Sequence, residues 1–254
     1  MYWLRSIHLL ILGFILWPYY AVAQDIDSLE ARADSLYQNF QEERALDLYQ
    51  QILDEEPNNY KALWRSSFLY SRIGNRFEEQ EAKEDYFKEA IELAEGALKV
   101  DSADTHSNYV MSVAMGRKSL ISGAKERVSA ARDIKKYVDR AIKYDNTNAG
   151  AWYVLGRWNF KIANLSWLER MAANTLFGGI PGDASNKKAV DAIRKAIDLR
   201  SDYIMYYYDL ARVYDEMGYD AKAIETCQEG LELPSQTPDD PELKQECKEL
   251  IQDI

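Results

Sequence analysis

Apolar residues recur three and four positions apart through most of this chain, the spacing of helices that each bury one face. Leu29, Ala33 and Leu36 share such a face, and Ala45, Tyr49 and Ile52 continue the pattern on a second helix that Pro57 closes. Leu63 follows Leu29 by 34 residues and is answered by Ala90, Ala94 and Ala97. Met111 and Met115 open a third pair with Ile134, Val138 and Ala141. Trp152, Leu155 and Gly156 open a fourth with Ala189, Ile193 and Ala196. Tyr207, Leu210, Ala211 and Tyr214 open a fifth, which turns at Gly218 and returns through Ala223 and Cys227. Small residues such as Ala33 and Ala45 mark where paired helices approach most closely. The pattern predicts a stack of helical hairpins.

The leading positions fall at Leu29, Leu63, Asn108, Trp152 and Tyr207, so successive pitches are 34, 45, 44 and 55 residues. Excesses of 11 and 10 residues correspond to about three helical turns, which keep apolar faces in phase while lengthening a helix by roughly 16 Å. These insertions predict longer helices rather than inserted domains. The excess of 21 residues lies between Asn164 and Asn186. There Leu165, Leu168, Ala172 and Leu176 fall near helical spacing, and Trp167, Met171 and Phe177 broaden the stripe. The run from Gly178 to Gly182 breaks that helix, and Ser185 supplies an N-cap for the next. Asp240-Pro241 starts a final helix with Leu243, Cys247, Leu250 and Ile254 on one face, suited to cover the end of the fifth hairpin.

This register resembles the tetratricopeptide repeat, a 34-residue helix–turn–helix with a large residue, then Leu and Gly, on its first helix. Trp152-Tyr153-Val154-Leu155-Gly156 carries the resemblance most clearly. It implies an all-α solenoid of about five helical-hairpin repeats, with lengthened helices and a C-terminal capping helix.

Composition refines this picture. The chain has 254 residues, 47% apolar and 29% charged, with only 6 Pro and 12 Gly, which suits a packed core and not long disordered tracts. Arg5 precedes an apolar run from Ile7 to Trp17, and Ala21-Val22-Ala23 is a small-residue cleavage site. Residues 1–23 therefore read as a secretory signal peptide cleaved after Ala23, leaving a repeat domain over 24–254. The alternative is an uncleaved anchor, since Trp17-Pro18-Tyr19-Tyr20 lengthens the apolar stretch. No Cys follows the cleavage site, which speaks against a lipid anchor, and no other segment is apolar enough to insert stably in a bilayer. The expected location is periplasmic or secreted.

Cleavage removes Arg5 and no acid, so 42 acidic residues face 30 basic ones, a net charge of −12. That balance opposes nucleic acid and anionic lipid, whose binding rests on Lys and Arg, and it is compatible with a basic protein partner. His8 leaves with the signal peptide, so His106 is the one histidine of the remaining chain. A Ser-His-Asp triad would have to use it, and zinc sites built on two or more His are excluded. No metal or cofactor is expected.

The Gly178-Gly179 loop lacks the Lys-Ser or Lys-Thr and the preceding strand of a phosphate loop, and reads as a turn. Asp145-Asn146-Thr147-Asn148 begins like a calcium loop, but Thr147 and Ala149 occupy ligand positions, so it too reads as a turn. Glu78, Glu79, Glu81, Glu84, Asp85 and Glu89 form an acidic run that reads as a solvated face, or as a dock for a basic partner. Trp158, Phe160, Trp167 and Phe177 make the fourth repeat the most aromatic. Most should pack between helices, while one or two line a groove as binding anchors. Of Tyr203, Tyr206, Tyr207 and Tyr208, two or more should face away from the helix core. Tyr206 is the candidate for a solvent or groove face, since Tyr207 holds the packing position. Cys227 and Cys247 lie on inward faces of helices that pack together, as a disulfide or as two small buried apolar residues.

From Trp152 onward the chain resembles the regulator of microtubule dynamics family. The match rests on Leu155-Gly156-Arg157-Trp158, Trp167, Arg170, Ala173, Leu176-Phe177, Pro181, Lys188-Ala189 and Ala196. A weaker match runs back through Ala31-Arg32-Ala33-Asp34 and Leu63-Trp64-Arg65. The resemblance implies a repeat fold acting through protein contacts, with no catalytic residues to carry across, and Arg170 joins the candidate binding residues. Eukaryotic members associate with microtubules and mitochondria. A secreted chain of net charge −12 fits the acidic surface of a microtubule poorly, so a bacterial envelope protein is expected instead. The expected function is a non-catalytic scaffold holding a partner protein in its concave groove. The alternative is a small-ligand-binding protein using the aromatic fourth repeat. Self-association is left open.

Overall fold

A computed structural model describes residues 25–177 and 183–254, apart from the side chains of Ala172, Leu176 and Phe177. The predicted signal peptide, its cleavage site, the Gly178–Gly182 turn and the Phe177 side chain lie outside the described residues. Every regular element among the described residues is helical. They are α1 (25–38), α2 (Glu42–Glu55), α3 (Tyr60–Arg76), α4 (Gln80–Val100), α5 (Thr105–Leu120) and α6 (Ala124–Tyr144). Then come α7 (Ala149–Ala163), α8 (Trp167–Phe177), α9 (Asn186–Leu199), α10 (Ile204–Glu216), α11 (Asp220–Glu232) and α12 (Asp240–Asp253).

The hairpins are α1/α2, α3/α4, α5/α6, α7/α9 and α10/α11, each packing on the next, and α12 closes the end against α10 and α11. The two intermediate pitches arise as expected from long helices: α4 and α6 each run 21 residues. The longest pitch arises differently, from the separate 11-residue α8. Several first helices start on a side-chain cap that satisfies a free amide. Asn59 accepts from Ala62 N at 2.9 Å, Asp104 from His106 N at 2.7 Å and Asn148 from Ala151 N at 3.0 Å. Ser185 caps α9 through Lys188 N at 3.2 Å, as its position predicted.

Alanines at the helix crossings are fully buried, among them Ala33, Ala45, Ala90, Ala94, Ala141, Ala189 and Ala196. The crossing of α7 on α9 is tight. A Cβ on Gly156 would meet Ile193 Cγ1 at 2.4 Å and the Ala189 carbonyl at 3.2 Å, so only glycine permits this approach. Gly218 adopts φ +69° at the α10–α11 turn, the left-handed conformation that ends a helix without a Cβ penalty.

Three expectations fail in packing. Trp167 neither packs between helices nor lines a groove: with Leu168 and Met171 it projects outward, and Ala173 is the side chain that packs inward. On α10, Tyr203, Tyr206 and Tyr207 are all buried, because α10 is covered by α7 and α9 on one side and by α11 and α12 on the other. On α12, Ile251 packs on the core in place of the exposed Ile254.

Candidate binding cavity

The first helices of the hairpins line the concave side of the solenoid, and two ends of the array meet there. Arg72 on α3 is nearly buried, 7% exposed. It donates from Nη1 to the Tyr203 hydroxyl at 2.8 Å and from Nη2 to Asp239 Oδ2 at 2.7 Å. Arg76, one turn on, donates to Asp239 Oδ1 at 2.5 Å and to Glu42 Oε2 at 2.7 Å. Glu42, at the start of α2, is 2% exposed and also lies 3.1 Å from Arg72 Nε.

Asp240 presents Asp239 to this cluster. Its buried carboxylate accepts from Gln236 N at 2.6 Å, Thr237 N at 2.8 Å and Thr237 Oγ1 at 2.8 Å, which sets the loop before α12. Burial alone would raise the Asp239 carboxyl, but Arg76 and Arg72 outweigh it and hold it below the usual carboxylate range. The result is an ionic clasp between the second hairpin and the C-terminal cap.

On one side of the clasp lies a cavity of about 420 Å³. Its apolar wall comes from α6 and α7: Val128, Ala131, Ile134, Trp158 and Ile162. Trp158 is buried, with its indole donating to the Ala131 carbonyl at 2.7 Å. The polar wall is cationic. Arg157 donates to Asp209 at 2.9 Å and to the Tyr153 hydroxyl at 3.2 Å, and Tyr153 in turn donates to Asp209. The Asp209 charge holds the Arg157 guanidinium firmly protonated.

Arg117 differs from the other arginines. It donates to the neutral Asn75 Oδ1 at 2.8 Å, and no carboxylate pairs with it among the described residues. Burial, with the positive charges of Arg157 and Arg72 nearby, holds it below the usual guanidinium range. Lys161 likewise has no ion-pair partner among the described residues, and burial with Arg157 and Arg212 lowers it. The cavity therefore combines an apolar floor with uncompensated positive charge.

A second cavity of about 330 Å³ lies on the far side. Phe68, Tyr109, Tyr203 and Tyr206 line both, so they form the constriction between them. Here the Trp64 and His106 rings stack at 4.4 Å, and the Arg65 guanidinium lies 4.2 Å from the Trp64 ring centroid. Arg200 covers Tyr203 at 4.4 Å. The histidine is thus an aromatic neighbour, hydrogen-bonded to Asp104 at 3.1 Å, and no hydroxyl nucleophile bonds to it among the described residues.

The predicted site residues separate accordingly. Trp158 and Tyr206 line the main cavity, Tyr206 as a groove residue only 3% exposed rather than a solvent-facing one. Phe160 packs instead among α7, α9 and α10. Trp167 is 70% exposed on the outer side of α8. Arg170 folds back, donating to the carbonyls of Leu165 at 3.0 Å and Ala163 at 2.8 Å. Cys227 and Cys247 are buried free thiols in mutual hydrogen-bond contact. That contact raises Cys247 and lowers Cys227.

Sequence reasoning passed over Arg72, Arg117, Lys161 and Tyr109. Their signal lay in the first helices, where polar and aromatic residues one step off the packing stripe (Phe68 with Arg72, Tyr153 with Arg157) define the concave face.

A family model described as regulator of microtubule dynamics protein 1-3 matches residues 29–254. Regulator of microtubule dynamics protein 3 of Rattus norvegicus is 27% identical over 234 residues, covering 89% of this chain and 49% of that protein. Regulator of microtubule dynamics protein 2 of Mus musculus is 26% identical over 233 residues, covering 90% and 56%. The chain thus spans about half the length of the curated relatives it matches. Among solved structures, a thermophilic tetratricopeptide-repeat protein of Thermus thermophilus superposes with a TM-score of 0.64. At 18% identity, covering 89% of this chain and 99% of that one, it shares the fold. Such helical-repeat folds support protein interaction in general.

Proposed function

The chain belongs to the regulator of microtubule dynamics family, and we propose that it is a non-catalytic binding protein whose concave face holds an anionic ligand with an apolar body. Arg117 carries this reading: a partly buried guanidinium without a carboxylate among the described residues, lining the same cavity as Trp158 and Ile134. An entering carboxylate or phosphate would offset its desolvation and its repulsion from Arg72 and Arg157. The volume of about 420 Å³ falls within the roughly 300–1,000 Å³ of ordinary small-molecule sites.

Titration with dodecyl phosphate, followed by calorimetry and native mass spectrometry, tests this reading. One-to-one binding that weakens at least about tenfold in Arg117→Glu supports it. Equal affinity for dodecanol, or no loss in the variant, rejects it.

A second reading, the envelope scaffold, rests on the other cavity. Trp64, His106, Tyr37 and Arg65 there offer stacking surfaces and a cation to a peptide carrying acidic and aromatic side chains. Residues 1–23 support an envelope location, which N-terminal sequencing of the purified native protein tests. The microtubule role in the relatives' names is not carried over, since the chain spans about half the length of those relatives.

A further inference from the structure

The outward face of α8 is the most prominent apolar feature of the described surface. Trp167 is 70% exposed, Leu168 65% and Met171, one turn later, 46%. The charged side chains beside them are engaged locally. Glu169 accepts from Ser166 Oγ at 2.6 Å and lies 3.2 Å from Arg127, while Arg170 caps the end of α7 through its two carbonyl contacts. The Trp167 indole N–H is the one directional group the three exposed side chains offer. The ridge suits a fluid apolar phase better than a folded protein surface, where specific polar pairing surrounds an apolar centre.

Charge along the chain is strongly segregated. Residues 117–200 carry 17 Lys and Arg against 8 Asp and Glu. Residues 1–116 carry 10 against 20, and residues 201–254 carry 4 against 14. The net acidity of the protein thus hides a basic middle, and α8 sits within it, packed on α6. Lys125 is exposed on the first turn of α6. Lys187 and Lys188 are exposed at the start of α9, which the Asn164–Asn186 hydrogen bond at 2.7 Å ties to the end of α7, just ahead of α8. Their ion pairs with Asp191 and Asp183 are solvent-exposed, so they restrain those ammonium groups weakly.

We propose that α8 docks the protein onto an anionic lipid bilayer, with Trp167, Leu168 and Met171 in the interface and Lys125, Lys187 and Lys188 facing phosphate headgroups. Trp is favoured at that depth, and a short helix with an apolar face and flanking cations lies in the membrane plane. Eleven residues give a helix of about 16 Å, far too short to span the roughly 30 Å hydrocarbon core. Among the described residues no helix is long and apolar enough to cross a membrane. The attachment is peripheral, and the cavity ligand plays no part in it.

Flotation of the full chain with phosphatidylcholine vesicles, with and without phosphatidylglycerol, provides the test. The expected result is partition onto the phosphatidylglycerol vesicles that falls with added salt. The paired variant Trp167→Ser, Leu168→Ser should lower it at least about tenfold with an unchanged melting temperature. Lys125→Glu with Lys187→Glu should lower it about tenfold or more and flatten the salt dependence. Residues 1–23 are common to every variant, so a segment binding through them would leave all the variants equal. Equal partition, or none by the wild-type chain, overturns the proposal. So does self-association abolished by the serine pair without vesicle binding, which would make a second copy the occupant of α8.

Discussion

Arg72 and Asp239 are hydrogen-bonded at 2.7 Å although 167 residues separate them in the chain. This pair, with Arg76, Glu42 and Tyr203, ties the second hairpin to the loop before the capping helix. Arg72→Ala would strip buried Glu42 of one of its two close guanidinium partners and Asp239 of another, and is expected to destabilise by about 3–5 kcal/mol. Asp239→Asn, at a position 21% exposed, is expected to cost about 1–2 kcal/mol. Urea unfolding midpoints measure both, and costs below about 0.5 kcal/mol for each would show that the clasp contributes nothing.

Acid should open the clasp. Asp239 titrates below the ordinary value of 3.8 in the folded protein, as does Asp34 beside Lys61 and Tyr49. A carboxylate with a depressed folded pKa stabilises fully above its unfolded value and ceases to do so as pH falls through the folded one. Stability is therefore expected to drop below about pH 4, with Asp239→Asn showing a shallower acid limb than wild type. Parallel acid limbs would count against this assignment.

Gly156→Ala sets two effects against each other. Alanine favours a helix over glycine by about 0.5–1 kcal/mol, whereas a Cβ 2.4 Å from Ile193 forces α7 and α9 apart at about 1–3 kcal/mol. The steric term is expected to win, giving a lower melting temperature. With Ile193→Ala, which removes Cγ1, the double variant should lose less stability than the sum of the two single losses, because the new methyl then has room.

Arg117→Ala should leave stability unchanged or raise it slightly. The side chain gives up one hydrogen bond to Asn75, but its removal relieves repulsion from Arg157 and Arg72. A melting temperature within about 2 °C of wild type, together with lost dodecyl phosphate binding, is the expected pair of results. A large destabilisation would recast Arg117 as a structural residue.

The buried thiols of Cys227 and Cys247 share one core cluster between α11 and α12. Mild oxidant is expected to remove two mass units and stabilise the cap by about 3 kcal/mol, as loop-closure entropy predicts for a loop of roughly 20 residues. Intact mass and thermal melts before and after reduction check both.

The hairpins were legible because Ala33, Ala45, Ala90 and Ala196 obey one helical period and Gly156 marks a tight crossing. Local spacing carries that information. It does not say what lies against a given face, so the apolar stripe of α8 was legible while the exposure of Trp167, Leu168 and Met171 was not. Tyr206 read as facing solvent or a groove, and only the neighbours that enclose α10 on both sides decide between the two in favour of the groove. The clasp left no local trace, since its partners meet only once the superhelix has turned. Trp158 and Tyr206 were found as cavity residues through their aromatic character, while the cations beside them were passed over as ordinary surface charge.

Arrays of this kind ordinarily change length by duplicating or deleting a unit, since each unit touches only its neighbours. Here an added or missing unit between α3 and α12 would swing Asp239 around the superhelix and out of reach of Arg72 and Arg76. The ionic contact makes the number of hairpins a structural constant, in the way a ring's circumference admits only a whole number of links.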